Sequence, residues 1–73
     1  MFVSGGSGAE PAAAVEAVCL GEDRIRHLLL GYRAANLGDR TEALRRFTWA
    51  QNSARLWGHG ACEQLAVAAI ERL

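Results

Sequence analysis

Apolar residues recur along this chain at helical intervals. Val15, Val18 and Cys19 fall at i, i+3 and i+4. Ile25, Leu28, Leu29 and Tyr32 follow at i, i+3, i+4 and i+7, and Leu30, Ala34 and Leu37 make a second stripe on the same segment. Ala43, Leu44, Phe47, Ala50 and Ala54 form the next core stripe, and Cys62, Leu65, Ala66, Ala69 and Leu73 the last. This is the period of one buried helix face. β-branched residues are sparse and no segment alternates with period two, so no strand is expected. The pattern predicts an all-α fold.

Stop and start signals divide these stripes. Pro11 suits the first turn of a helix, where its missing N–H costs least, and Gly21 ends that segment after Leu20. Asp23 is placed to cap a second helix running to about Leu37. Gly31 inside it costs ~1 kcal/mol against Ala, so its place implies close approach of a neighbouring helix. Gly38 supplies a left-handed closing residue, and Asp39 with Glu42 three positions later reads as a capping box opening a third helix, 40–57. Because the two signals are adjacent, the second and third helices must fold back antiparallel. Gly58-His59-Gly60 breaks the chain again, and a last helix is expected over 61–73, with Glu63 serving its start. The expected fold is a small three- to four-helix bundle built on an antiparallel helical hairpin. Residues 10–73 would form one domain. Residues 1–9, with Gly5, Gly6 and Gly8, read as a disordered Gly/Ser tail.

Composition narrows the function classes. With 73 residues the chain can form only one domain, and a marginal one. Much of its 51% apolar content is alanine, which favours helix but buries little area. Eight basic residues, all arginine, balance eight acidic ones. A GC-rich genome gives such a composition without any special arginine chemistry, and the neutral balance argues against non-specific binding to nucleic acid or acidic lipid. No apolar run approaches the ~20 residues that span a bilayer, and Met1–Gly6 lacks the basic and apolar regions of a signal peptide. A cytoplasmic protein is expected, with Cys19 and Cys62 reduced.

The hairpin resembles a tetratricopeptide repeat. The resemblance rests on Leu30-Gly31 in the first helix, Gly38-Asp39 at the turn, and Ala43, Leu44, Phe47 and Ala50 in the second, all at that family's intervals. It covers one repeat, residues 24–57. His27 stands where the family prefers Trp or Leu, Ala34 where it prefers Tyr, and no Pro closes the second helix near Arg55. Residues 58–73 look like the helix that caps such arrays. The resemblance implies protein or peptide binding rather than catalysis, with Ile25, Leu28, Tyr32, Ala35 and Asn36 on the face that lines the family's groove. One repeat makes no superhelical groove, so a helix or a second chain is expected to cover that face.

Three other chemistries were weighed. Cys19, His27, His59 and Cys62 lack the paired, tight spacing of a zinc site. Cys62 near a helix start gains thiolate character, but no base or second thiol is arranged beside it in sequence, so a thiol or metal protein using Cys62 and His59 is an alternative of low weight. Arg40, Arg45, Arg46 and Arg55 suggest a nucleic-acid-associated regulator, but acidic residues offset them, and a Gly-Asp turn makes an antiparallel hairpin rather than a groove-reading crossed pair. No cofactor, metal or small-molecule substrate is indicated.

The resulting expectation is a non-catalytic protein–protein interaction module, a small adaptor, regulatory or assembly subunit, working as a homodimer or on a larger partner. Its apolar faces exceed what one hairpin and one capping helix can cover. The partner-binding candidates are Ile25, Leu28, Tyr32 and Asn36 on one face, and Trp49 and Leu56 on another. Trp49 is open to two readings: cover by the last helix, or an interface anchor.

Overall fold

A computed structural model describes residues 10–73 of the chain. They form four helices: α1 (Glu10–Val18), α2 (Glu22–Asn36), α3 (Arg40–Leu56) and α4 (Gly60–Glu71). The described residues contain no strand, and the fold is a small all-α bundle. The reading of residues 1–9 as a tail lies outside the described residues.

Two turns of the same design set the path of α2, α3 and α4. At the first, Gly38 takes φ 82°, the Asp39 N–H donates to the Ala34 carbonyl at 2.8 Å, and the Gly38 N–H donates to Ala35 at 3.0 Å. At the second, Gly58 takes φ 74°, the His59 N–H donates to Ala54 at 2.8 Å, and the Gly58 N–H donates to Arg55 at 3.2 Å. Both are Schellman closures, which satisfy helix-end carbonyls that would otherwise be orphaned. Each is followed at once by a new helix, so α3 packs against both α2 and α4.

Helix starts differ from the sequence reading in two places. Asp39 does cap α3, accepting the Glu42 N–H at 3.1 Å. The reciprocal half of the capping box is absent. The Asp39 N–H is already used by Ala34, and the Glu42 carboxylate turns instead to Arg45 and Arg46 at 2.7–3.0 Å. Asp23 does not cap α2. It lies in the first helical turn, Gly21 occupies the cap position with φ 95°, and no side chain caps that end.

The core lies along α3. Ala43, Phe47, Ala50 and Ala54 are buried, facing Leu28, Gly31 and Ala34 of α2 and Cys62, Ala66 and Ala69 of α4. Gly31 is where the α2–α3 approach is closest. A Cβ built there would sit 2.5 Å from Cε1 of Phe47, so the helices meet because that carbon is missing. Tyr32 closes over the same ring edge-to-face, with centroids 5.0 Å apart. Leu44, assigned to this stripe from its spacing, is exposed, as are Val18 of α1 and Leu37 of α2. Each lies at the margin of its stripe, and Leu44 borders a shallow groove with Ile70 and Leu73 of the chain's end.

The cysteines overturn one expectation. Cys19 and Cys62 are not free thiols; they form a disulfide with Cα atoms 4.8 Å apart, across 43 residues of sequence. The bond joins the end of α1 to the first turn of α4, and both residues are buried. Val15 and Cys19 together seat α1 in the core cluster that contains Leu28.

Candidate interaction surface

The two candidate faces fare differently. Leu28 has no exposed surface, and Ile25 and Tyr32 are half-buried against the core. That face of α2 is closed by the chain itself, with Leu28 in the core cluster and Tyr32 edge-on against Phe47 of α3, and Asn36 stands exposed at its far end. Trp49 and Leu56 remain at the surface of α3, and α4 does not cover them.

The second face is larger than its spacing suggested. Trp49, Asn52, Ser53, Leu56 and Trp57 fall at i, i+3, i+4, i+7 and i+8 on α3 and its cap residue. They form one wall of an open groove of about 660 Å³, and Gly21, Glu22, Asp23 and Arg24 form the other. Trp49 is 42% exposed, Trp57 68% and Leu56 79%, while Leu20, on the connector beside Gly21, is 67% exposed. Trp57 was missed from the sequence because it follows the last residue of the periodic stripe. Its signal was the i+8 interval from Trp49.

The groove has a fixed floor. Nε of Arg24 donates to the Leu20 carbonyl at 2.7 Å, and Nη1 donates to Oγ of Ser53 at 3.2 Å, tying the α1–α2 connector to α3. His27 stacks flat on Trp49, with centroids 3.8 Å apart and planes 9° from parallel. Its Nδ1 lies 2.8 Å from the Asp23 carbonyl. A carbonyl can only accept, so Nδ1 carries the proton and the imidazole is pinned as a backing for the indole. The one large ring held rigid is thus at the edge of the groove, and Trp57 and Leu56 stand free beyond it.

Little acid–base chemistry is arranged among the described residues. No group of three or more His, Cys, Asp or Glu side chains converges as a metal site would need. The Glu42 carboxyl is held below its usual range by hydrogen bonds from Arg46 and Arg45, near the start of α3, and none of these three residues lines the groove. Burial pushes the Tyr32 phenol above its usual value, with the Arg72 charge opposing. Among the described residues, no helix is long and apolar enough to cross a membrane. No family model, no curated protein and no solved structure matches the chain.

Proposed function

We propose that the chain is a non-catalytic protein–protein interaction module that pairs with a second copy of itself through the Trp49–Leu56–Trp57 face. The observation carrying this reading is that both tryptophans of the chain sit on one exposed helix face beside an open groove. Trp is enriched at binding hot spots, and a rigid, half-exposed indole costs little entropy to immobilise. Trp49, Trp57, Leu56 and Leu20 together expose roughly 400 Å² of apolar surface per chain. A standard interface buries about 800 Å² on each partner, somewhat over half of it apolar. The patch is therefore near the size a stable dimer needs, and a two-fold pair is the commonest way to cover it. The tetratricopeptide-like pattern of the α2–α3 hairpin supports an interaction role in the same direction. A cytoplasmic site of action is part of this reading. There the Cys19–Cys62 bond would face a reducing pool, which normally keeps thiols reduced.

Sedimentation equilibrium or light scattering on the purified chain tests the reading. The wild-type protein should be a dimer at micromolar concentration. Leu56→Glu together with Trp57→Ser should give a monomer with unchanged helical circular dichroism, since neither side chain is in the core. A wild-type monomer at 100 μM, on the order of a hundred times the concentration a typical 1 μM interface requires, would refute it.

A further inference from the structure

We infer that Cys19–Cys62 is a redox-modification site, and that its reduction by a dithiol releases α1 from the bundle and uncovers the Ile25–Leu29 side of α2. The inference is independent of self-association through the tryptophan face.

Little except the disulfide holds α1 in place. The helix has nine residues, below the ~12–15 at which an isolated helix becomes even marginal in water. Among its described side chains it gives the core only Val15, with Cys19 just past its end. Among the described side chains, no hydrogen bond or ion pair runs from α1 to α2, α3 or α4. The nearest polar tie, Arg24 to the Leu20 carbonyl, lies in the connector beyond it. Ala12, Ala13, Ala14, Glu16, Ala17 and Val18 are all exposed. By contrast, α2, α3 and α4 are joined by the Phe47–Gly31 contact, the alanine seam and two closed turns, none of which involves α1. The covalent bond is thus the main restraint on one element, and the other three have their own.

The exchange has a favoured direction. Cys62 lies in the first turn of α4, where the helix dipole stabilises a thiolate and makes it the better leaving group. Cys19 lies just past the end of α1, next to the exposed Leu20 and the connector turn at Gly21. Both cysteines are buried, so exchange starts from a local opening at the α1–α2 connector, in which the incoming thiolate of a dithiol attacks Sγ of Cys19. The S–S bond breaks and its electron pair leaves on Sγ of Cys62, which then takes up a proton. The reductant's second thiolate attacks the mixed disulfide, freeing the Cys19 thiol. The reductant leaves as a cyclic disulfide. Two electrons and two protons pass from it to the protein.

What is uncovered is a defined surface. With α1 away, Ile25 and Leu29, half-buried and beside Glu16 of α1, become a freely exposed apolar stripe on α2, while Leu28 keeps facing α3. The oxidised chain hides this stripe and the reduced chain presents it.

Hydrogen–deuterium exchange on the full chain, with and without dithiothreitol, tests the inference, with reduction confirmed by a two-dalton mass gain. Amides of residues 12–18 should lose nearly all of their protection after reduction, because an untethered helix of nine residues does not persist in water. Amides of residues 47–54 should stay within a few-fold. A Cys19→Ser/Cys62→Ser variant should behave as the reduced protein does, and trapping with a monothiol should place the mixed disulfide on Cys19. Unchanged protection of 12–18 in fully reduced protein would overturn the inference, because apolar contact alone would then hold α1. Loss of protection across all four helices together would overturn it too, because the bond would then staple the whole fold. Running the comparison in the Leu56→Glu/Trp57→Ser background separates its failure from failure of the dimer reading.

Discussion

The Gly31–Phe47 contact can be tested as a coupled pair. Gly31→Ala places a methyl 2.5 Å from Cε1 and 2.7 Å from Cδ1 of Phe47, well inside any tolerable carbon–carbon distance. Phe47 is 1% exposed, so its ring has no free space to swing into. Overpacking of this kind costs ~1–3 kcal/mol. Ala is better than Gly inside a helix by ~1 kcal/mol, which offsets part of that cost. The net loss should be up to ~2 kcal/mol. In a Phe47→Leu background the ring is gone and the clash with it. There the same Gly31→Ala change should keep only the propensity gain and stabilise by up to ~1 kcal/mol.

The sign of one substitution should therefore reverse with the identity of a residue sixteen positions away. The coupling energy, ~1–3 kcal/mol, lies in the range for directly contacting residues. Urea denaturation followed by circular dichroism, with the disulfide intact in all four proteins, measures the cycle. Phe47→Leu is used because Phe47→Ala, at ~3–5 kcal/mol, could unfold so small a domain outright. If Gly31→Ala costs the same in both backgrounds, Phe47 is not what Gly31 makes room for, and the α2–α3 packing is wrong.

Asp39→Ala should cost ~1 kcal/mol, the usual worth of an N-cap, in the same denaturation assay. Asp23→Ala should cost less, because Asp23 caps nothing. The Glu42 carboxyl titrates lower in the folded chain than its ordinary value, so it contributes stability above the unfolded carboxylate range and loses it as pH falls through the folded value. The stability gap between wild type and Glu42→Gln should therefore be present at neutral pH and close on acidification, as followed by melting temperature against pH. Treatment with a chelator should leave the helical circular dichroism unchanged; a loss restored by zinc would mean that Cys19, His27, His59 and Cys62 bind metal after all.

Local signals in the sequence resolved the hairpin and little beyond it. Gly38-Asp39 and Gly31 against Phe47 were legible because each is a short-range requirement: a positive φ, a cap, a missing Cβ. The second turn was legible as a break at Gly58, but its identity with the first shows only in its hydrogen bonds. The α1 packing was not legible. Val15 and Cys19 make too narrow a stripe to say which face of which helix they meet, and 43 intervening residues hide the meeting of Cys19 with Cys62. For the same reason Leu28 read as partner-facing. Its helix carries two apolar stripes, and periodicity cannot say which one the chain covers for itself. Spacing puts Trp49 and Leu56 off the core stripe but leaves open whether the last helix covers Trp49; in the structure both are exposed.

The unequal use of large and small side chains ties the core to the surface. Of the eleven buried apolar residues, six are alanine, and only Phe47, Leu28 and Val15 are sizeable hydrocarbons. Alanine brings helices close but removes little area from water, so each buried position contributes less than a leucine would. Meanwhile Leu20, Leu37, Leu44, Leu56, Trp49 and Trp57 are exposed. Single exposed leucines need no explanation, since much of any protein surface is apolar. Leu37 and Leu44 are of that kind. The tryptophans are different: they share one helix face with Leu56, they border one groove, and one of them is held flat by a histidine whose own orientation is fixed. A chain choosing residues for monomer stability alone would place those rings inside, where each indole removes 150–250 Å² from water. Keeping them outside, in a domain this small, forgoes folding stability that the interior needs. That cost is understandable if the same area is removed from water by association, and it is the physical reason the tryptophan face, rather than the Leu28 face, carries the functional reading for the oxidised chain.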